Sequence, residues 1–210
     1  MIGLARRRLM GGVDLPYDAR IEYLERTTAG YVDLPVDVKA GDYFGIIIEI
    51  IPVFQNTTKN YIFGANKPEQ FSAYYNADYR SSGYIQYASK IGENSSSGGL
   101  NVVPGEKTTI EFSTAKKYIN NPVTTTYNTN TSWSRSIKDD FTSLRLFGAS
   151  GKSGYSLKLC SLKVMHGNRS NIIYDMIPVR IGQVGYLYDK LSSELFGNSS
   201  STALLLGPDV

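Results

Sequence analysis

At 210 residues the chain is long enough for one domain with a sizeable core; 41% of it is hydrophobic, only 20% is charged, and sixteen Tyr and eight Phe stand against one Trp. That composition, without runs of Ala, Leu, Glu and Lys, excludes long helices and predicts an all-β domain, while the single cysteine, Cys160, excludes an internal disulfide and a disulfide-stapled secreted scaffold. Removing Arg6, Arg7 and Arg8 from the 22 basic residues leaves 19 against 19 acidic ones, a formally neutral body that argues against a nucleic-acid-binding face.

Residues 1–15 read as a short extended arm and residues 16–210 as the domain it carries. The arm has the basic start of a signal peptide but no apolar h-region of about 7–15 residues. No stretch of the chain approaches the roughly 18 apolar residues of a membrane span. Gly11-Gly12 forms a flexible joint. A first strand is expected over about 20–25, a turn at Ala29-Gly30 and a second strand over about 31–36. The run Tyr43–Phe54 is too β-branched for a helix, and Pro52 would break one, so it predicts a central strand with a bulge or an end near Pro52. Glu49 lies inside that run and needs a partner.

Shorter strands are expected over about 60–65, 70–76 and 83–89, followed by a flexible loop at Asn94–Gly99. Lys107–Phe112 alternates as a strand should, and 117–135 reads as strand, loop and short strand. The last long strands before the close are Phe141–Gly148 and Gly154–Met165. Regular alternation in the second puts Tyr155, Leu157, Leu159, Ser161, Lys163 and Met165 on one face and Ser156, Lys158, Cys160, Leu162, Val164 and His166 on the other. Ten to thirteen strands without βαβ alternation predict an antiparallel two-sheet β-sandwich.

Ile21–Val36, IEYLERTTAGYVDLPV, and Met176–Val210, with Ile177-Pro178-Val179-Arg180, Gly185–Asp189 and Gly207–Val210, are similar to the ends of one module type. Its first strand runs roughly IEYLES-TGTQYIDTGI, and its close runs roughly D-IPV-R---GV-GLYD-VSGKFY-N-GTG-F--GPDV. The chain therefore resembles the concanavalin A-like, or laminin-G-like, modules of bacteriophage structural proteins and gut-bacterial surface proteins. The resemblance implies a jelly-roll topology in which the terminal strands are neighbours, Tyr188 and Asp189 fix the final turn, and Leu204–Leu206 return to the sheet. Asn198–Thr202 replaces the usual Gly-Thr-Gly turn.

Motifs that would carry chemistry are weak. Gly148–Ser153 looks like the end of a phosphate-binding loop, but the pattern needs a glycine at Leu146 and a following helix, so a turn is expected. Cys160 and His166 lie six residues apart on one predicted strand, about 20 Å at strand rise, too far to act as a nucleophile and base. One Cys and one His leave a typical zinc site out of reach. Glu22 and Glu25 lie three apart and so should point to opposite faces of a strand, while Asp139-Asp140 belongs in a loop. A glycosidase needs two carboxyls about 5–10 Å apart, and no such pair is legible. Asp78, Asp139, Asp140 and Asp189 lack the spacing of a calcium loop. No catalytic residue, metal or cofactor is expected.

Two features carry functional expectations. Tyr74, Tyr75, Tyr79 and Trp133 are candidate glycan-stacking residues, because sugars stack on aromatic faces; cross-strand packing is the structural alternative. Arg6, Arg7, Arg8, Leu9 and Met10 form a candidate assembly anchor, since apolar residues around the arginines, including Ile2 and Leu4, suit docking to protein rather than nucleic acid. With the resemblance, these imply a non-enzymatic bacteriophage structural protein located in the virion, as a capsid decoration, head fibre or tail-associated part. Its arm would meet capsid or tail proteins, and a homo-oligomer, trimer favoured, would suit such a particle. The alternative is a carbohydrate-binding adhesin or lectin module facing host glycans. Neither a nucleic-acid nor a membrane partner is expected.

Overall fold

In the computed structural model, residues 15–26, 29–53, 60–68, 70–76, 85–91, 94–102, 105–115, 117–120, 135–150 and 157–210 are described. Their regular structure is entirely strand. The elements are β1 (Ala19–Arg20), β2 (Leu24–Glu25), β3 (Val32–Val38), β4 (Phe44–Pro52), β5 (Asn60–Ala65), β6 (Phe71–Asn76), β7 (Ile85–Ile91), β8 (Asn94–Val102), β9 (Thr108–Ser113), β10 (Lys117–Asn120), β11 (Phe141–Leu146), β12 (Leu157–His166), β13 (Ile172–Ile181), β14 (Val184–Asp189), β15 (Leu195–Gly197) and β16 (Leu205–Leu206).

They form two antiparallel sheets, as the composition predicts. The larger runs β10-β9-β4-β12-β13-β14-β15, with β1, β2 and β16 attached beside β12 and β13; the smaller runs β3-β11-β5-β6-β7-β8. β4 sits centrally because its run is apolar apart from Glu49. Its inward set, Phe44, Ile46, Ile48 and Ile50, is buried, and Glu49 faces outward. The strand ends at Pro52, whose missing N–H limits a ladder.

Phenylalanines join the sheets. Phe44 of β4 meets Phe71 of β6 edge-on at 4.9 Å and Phe141 of β11 at 5.2 Å, and Phe63 of β5 meets Phe112 of β9 at 5.7 Å. All five rings are at most 1% exposed. Burying each contributes about 1.5–3 kcal/mol, and edge-to-face contacts add about 0.5–1.5. Tyr174 of β13 also crosses the gap and donates its hydroxyl to Pro35 O on β3 at 2.7 Å.

Three expectations are corrected. Asn94–Gly99 is not a loop: it belongs to β8, which pairs with β7 through Asn94–Ser96 and Leu100–Val102 on either side of a register shift. A backbone ladder at a sheet edge needs no favourable side chain, so pairing overrides the low strand propensity of Asn94, Ser95 and Ser96. The first strand is broken into β1 and β2 by a bend at Glu22, with Ile21 bridging to Asp209. The third correction lies in β12, where the alternation slips. Leu159 pairs with Ile50 but Ser161 with Glu49, leaving Cys160 as an extra, bulged residue. Leu157 and Leu159 before the bulge, and Leu162 and Val164 after it, therefore occupy the same core-facing rows.

The two terminal motifs interlock. β12 pairs with β2 through Lys158-Leu159 and with β13 through Leu162–Met165, and β13 pairs with β1 through Val179-Arg180. β16 pairs with β2, and Val210 N donates to Arg20 O at 3.1 Å. Residues 18–26 thus fill the split between β12 and β13, beside the chain's last residues. A Cβ on Gly185 would stand 2.2 Å from Leu24 Cδ2, and one on Gly207 would stand 2.9 Å from Tyr23 N. These closing-motif glycines make room for the opening motif.

Candidate functional site

The outward side of this seam carries two adjoining clefts. The first, about 340 Å³, is lined by Arg20, Glu22, Glu49, Lys107, Cys160 and Val210. β4 places Glu49 there by outward alternation, and Lys107, just before β9, approaches it at 3.9 Å. This supplies the partner that the lone carboxylate needs. The bulge sets Cys160 on the floor, 4% exposed. Burial pushes its thiol up to about 11; the Glu49 and Glu22 charges add to this, and Lys107 and Lys158 oppose it. Such a thiol is protonated at neutral pH and is not an activated nucleophile.

Glu22 and Glu25 do not point to opposite faces. The bend between β1 and β2 interrupts the alternation, and both carboxylates act on the Lys158 ammonium, which sits 4.4 Å from the centre of the Tyr23 ring. Hydrogen bonding to Tyr23 is the main cause of that ammonium's raised pKa.

The second cleft, about 430 Å³, is lined by Leu15, Tyr17, Asp18, Ala19, Arg20, Asp209 and Val210. Arg20 and Val210 belong to both clefts. Asp18 accepts a hydrogen bond from Gly182 N at 2.7 Å, which holds the chain entering β1 against the β13–β14 turn. The Tyr17 ring meets Tyr188 edge-on at 5.0 Å. Burial raises the Tyr17 phenol's pKa, with a further contribution from Tyr188.

Elsewhere, the groups considered for chemistry are engaged in structure. His166 lies at the far end of β12 from Cys160, with Nε2 2.7 Å from Asp42 Oδ2. The hydrogen bond from His166, then that from Lys39 N, holds the Asp42 carboxyl below its ordinary range. Asp140 accepts a bond from Ala40 N, and Asp139 accepts one from Gln70 Nε2. Asp189 fixes the turn after β14. Among the described residues no group of three or more His, Cys, Asp or Glu side chains is placed to hold a metal ion.

Tyr74 and Tyr75 lie on β6, inside the smaller sheet. Tyr74 pairs in register with Tyr61 of β5 and Ala88 of β7, and Tyr75 pairs with Asn60 and Tyr87. The ladder therefore sets Tyr74 beside Tyr61 and Tyr75 beside Tyr87, two pairs in successive rows that alternate between the faces of the sheet. Tyr79, Trp133 and the arm residues Arg6, Arg7, Arg8, Leu9 and Met10 lie outside the described residues. Sequence reasoning missed Tyr17, Arg20 and Lys107 as cleft residues. Only long-range pairing brings them together; a residue pattern within one strand carries no signal for it.

No protein-family model matches the sequence, and no curated protein matches it. Among solved structures, the fold is similar to a native heptameric SAP-like pentraxin from Limulus polyphemus, with 13% identity, a TM-score of 0.47 and coverage of 73% of this chain and 78% of that one. It is also similar to full-length tailspike protein 2 of the Escherichia coli O157:H7 bacteriophage CAB120, with 11% identity and a TM-score of 0.38. That match covers 77% of this chain but only 27% of the tailspike.

Proposed function

We propose that the chain is a non-enzymatic structural protein of a bacteriophage particle, a concanavalin A-like module tied into the particle's protein assembly by residues 1–15 and working as a homo-oligomer. The observation that carries this is the interlocked seam. Residues 18–26 are clamped between β12 and β13 and bonded to the closing motif, so the root of the arm, Leu15–Tyr17, is fixed at one place on the sandwich. A rigid root lets an arm transmit force to a partner. The pairing of Glu49 with Lys107 and the suppressed ionisation of Cys160 support a role without catalysis. The test is mass spectrometry and immunogold labelling of purified phage particles made with the intact chain or with residues 1–12 deleted. Intact chain should ride on the particle and the truncated chain should not; particles lacking the intact chain would sink the proposal.

A second function, glycan binding, is favoured by the tyrosine pairs of β5, β6 and β7. A glycan array probed with the intact chain and with Tyr74→Ala and Tyr75→Ala tests it. No signal from the intact chain would leave scaffolding alone.

A further inference from the structure

Arg20 and Glu22 flank Ile21, which is fully buried, and both side chains reach the first cleft. Their backbone is held on the other side: Val210 N donates to Arg20 O at 3.1 Å, and Glu22 N donates to Pro208 O at 2.8 Å. The remaining charged groups of the two clefts are already engaged. Glu49 lies 3.9 Å from Lys107, Arg180 takes both carboxylate oxygens of Asp209, and Asp18 accepts from Gly182 N. Among the described residues the Arg20 and Glu22 side chains enter no ion pair. Glu22 acts on the Lys158 ammonium through its field alone. The cleft therefore presents one guanidinium and one carboxylate, neither paired, from a fixed stretch of backbone.

That pair selects a ligand by charge. An anion drawn to Arg20 meets Glu22 in the same cleft, and a cation drawn to Glu22 meets Arg20. A guanidinium only donates and a carboxylate only accepts, whereas a hydroxyl does both. Neighbouring hydroxyls on an uncharged ligand can thus accept from Arg20 and donate to Glu22 together. The second cleft adjoins through Arg20 and Val210 and adds an apolar wall of Leu15, Tyr17 and Ala19. The Tyr17 ring is steadied edge-on by Tyr188 at 5.0 Å. Sugar rings carry hydroxyls at their edge and C–H groups on their faces, and the faces pack on aromatic rings. The two volumes, about 340 and 430 Å³, lie within the range of roughly 300–1,000 Å³ usual for ligand sites.

We propose that the two adjoining clefts bind an uncharged carbohydrate, with neighbouring ring hydroxyls bridging Arg20 and Glu22 and the ring face against Tyr17. The proposal rests on the glycan-binding reading and places the site at the seam instead of on the tyrosines of β5–β7. Because the backbone on both sides of Ile21 is already fixed, binding needs little ordering of the chain.

The test is a glycan array of neutral and acidic oligosaccharides, probed with the intact chain, Arg20→Gln, Glu22→Gln, Tyr74→Ala and Tyr75→Ala. The intact chain should bind neutral oligosaccharides. Arg20→Gln and Glu22→Gln should each weaken that binding at least about tenfold, the usual loss when a hydrogen bond to a charged group is removed. Their thermal midpoints should match the intact chain, since neither side chain is paired, and both tyrosine variants should bind as the intact chain does. Full binding by Arg20→Gln and Glu22→Gln, with loss in Tyr74→Ala or Tyr75→Ala, would overturn this site and leave the glycan-binding reading standing. Binding confined to acidic oligosaccharides would overturn the uncharged ligand. An intact chain that binds nothing on the array would overturn both the site and that reading, without touching particle attachment.

Discussion

Arg180 grips Asp209 with Nε and Nη2, each 2.7 Å from a carboxylate oxygen, and its Nη1 also donates to Gly182 O. This fork ties the Ile-Pro-Val-Arg segment to the Gly-Pro-Asp-Val close, 29 residues later. It also sets Asp209 beside Ile21 and Val210 beside Arg20. Lysine cannot reproduce a planar two-pronged contact. Arg180→Lys and Asp209→Ala should leave the fold intact but raise amide exchange at Glu22 and Val210, whose N–H groups bond across the seam to Pro208 O and Arg20 O. Exchange mass spectrometry checks this; unchanged protection there would mean the backbone bonds hold the seam without the fork.

Gly185 has no room for a side chain, because a Cβ would stand 2.2 Å from Leu24 Cδ2 and 2.7 Å from Leu206 Cδ2. Leu24 is fully buried, so it cannot swing aside into solvent. Gly185→Ala should cost about 1–3 kcal/mol through overpacking. Denaturant unfolding measures this, and a neutral substitution would mean that β2 and β16 shift freely.

The architecture was legible where burial alternates. β4 reads directly from Ile46, Ile48 and Ile50, and its end reads from Pro52. β12 did not read directly, because a bulge is a register event between two strands and Cys160 carries no mark of it. β8 was invisible for a related reason: Asn94, Ser95 and Ser96 gain a strand only from the β7 ladder. The terminal motifs gave the adjacency of the chain ends through resemblance, but not the charged and apolar clefts they frame. Tyr17, Glu22, Lys107 and Tyr188 come together only after the seam closes.

Asp189, 1% exposed, accepts hydrogen bonds from Asp175 N, Leu191 N, Ser192 N and Ser192 Oγ. Burial pushes its carboxyl up, but the four donors outweigh it and hold the pKa below the ordinary carboxylate value. With the folded pKa depressed, the stabilisation is present above the unfolded pKa of about 3.9 and is lost as pH falls through the lower folded value. Asp189→Asn should cost about 1–3 kcal/mol at neutral pH and flatten the acid limb of a stability–pH curve. An acid limb parallel to that of the unmodified chain would remove Asp189 as its source.

In the same turn Ser193 is held at φ 63, in the left-handed region. A non-glycine residue there costs about 1–2 kcal/mol. Its N–H still bonds to Asp189 O at 2.9 Å, so the conformation is held by the turn. Ser193→Gly keeps that bond and relieves the strain, at the expense of a more flexible unfolded chain. The net gain should be up to about 1 kcal/mol, seen as a higher denaturation midpoint. A lower midpoint would show that the Tyr188 hydroxyl's contact with Ser193 Oγ matters more than the backbone.

Cys160 gives the sharpest check on the first cleft. Burial in the β12 bulge pushes its thiol up to about 11, so at pH 8 only about one molecule in a thousand carries the thiolate. Folded protein should therefore label with iodoacetamide far more slowly than a free cysteine, and full labelling should appear only on unfolding. The bulge makes the same demand sterically, because the residue is 4% exposed and occupies a position with no partner on β4. Rapid labelling of folded protein would mean that the bulge opens and exposes the floor of the first cleft.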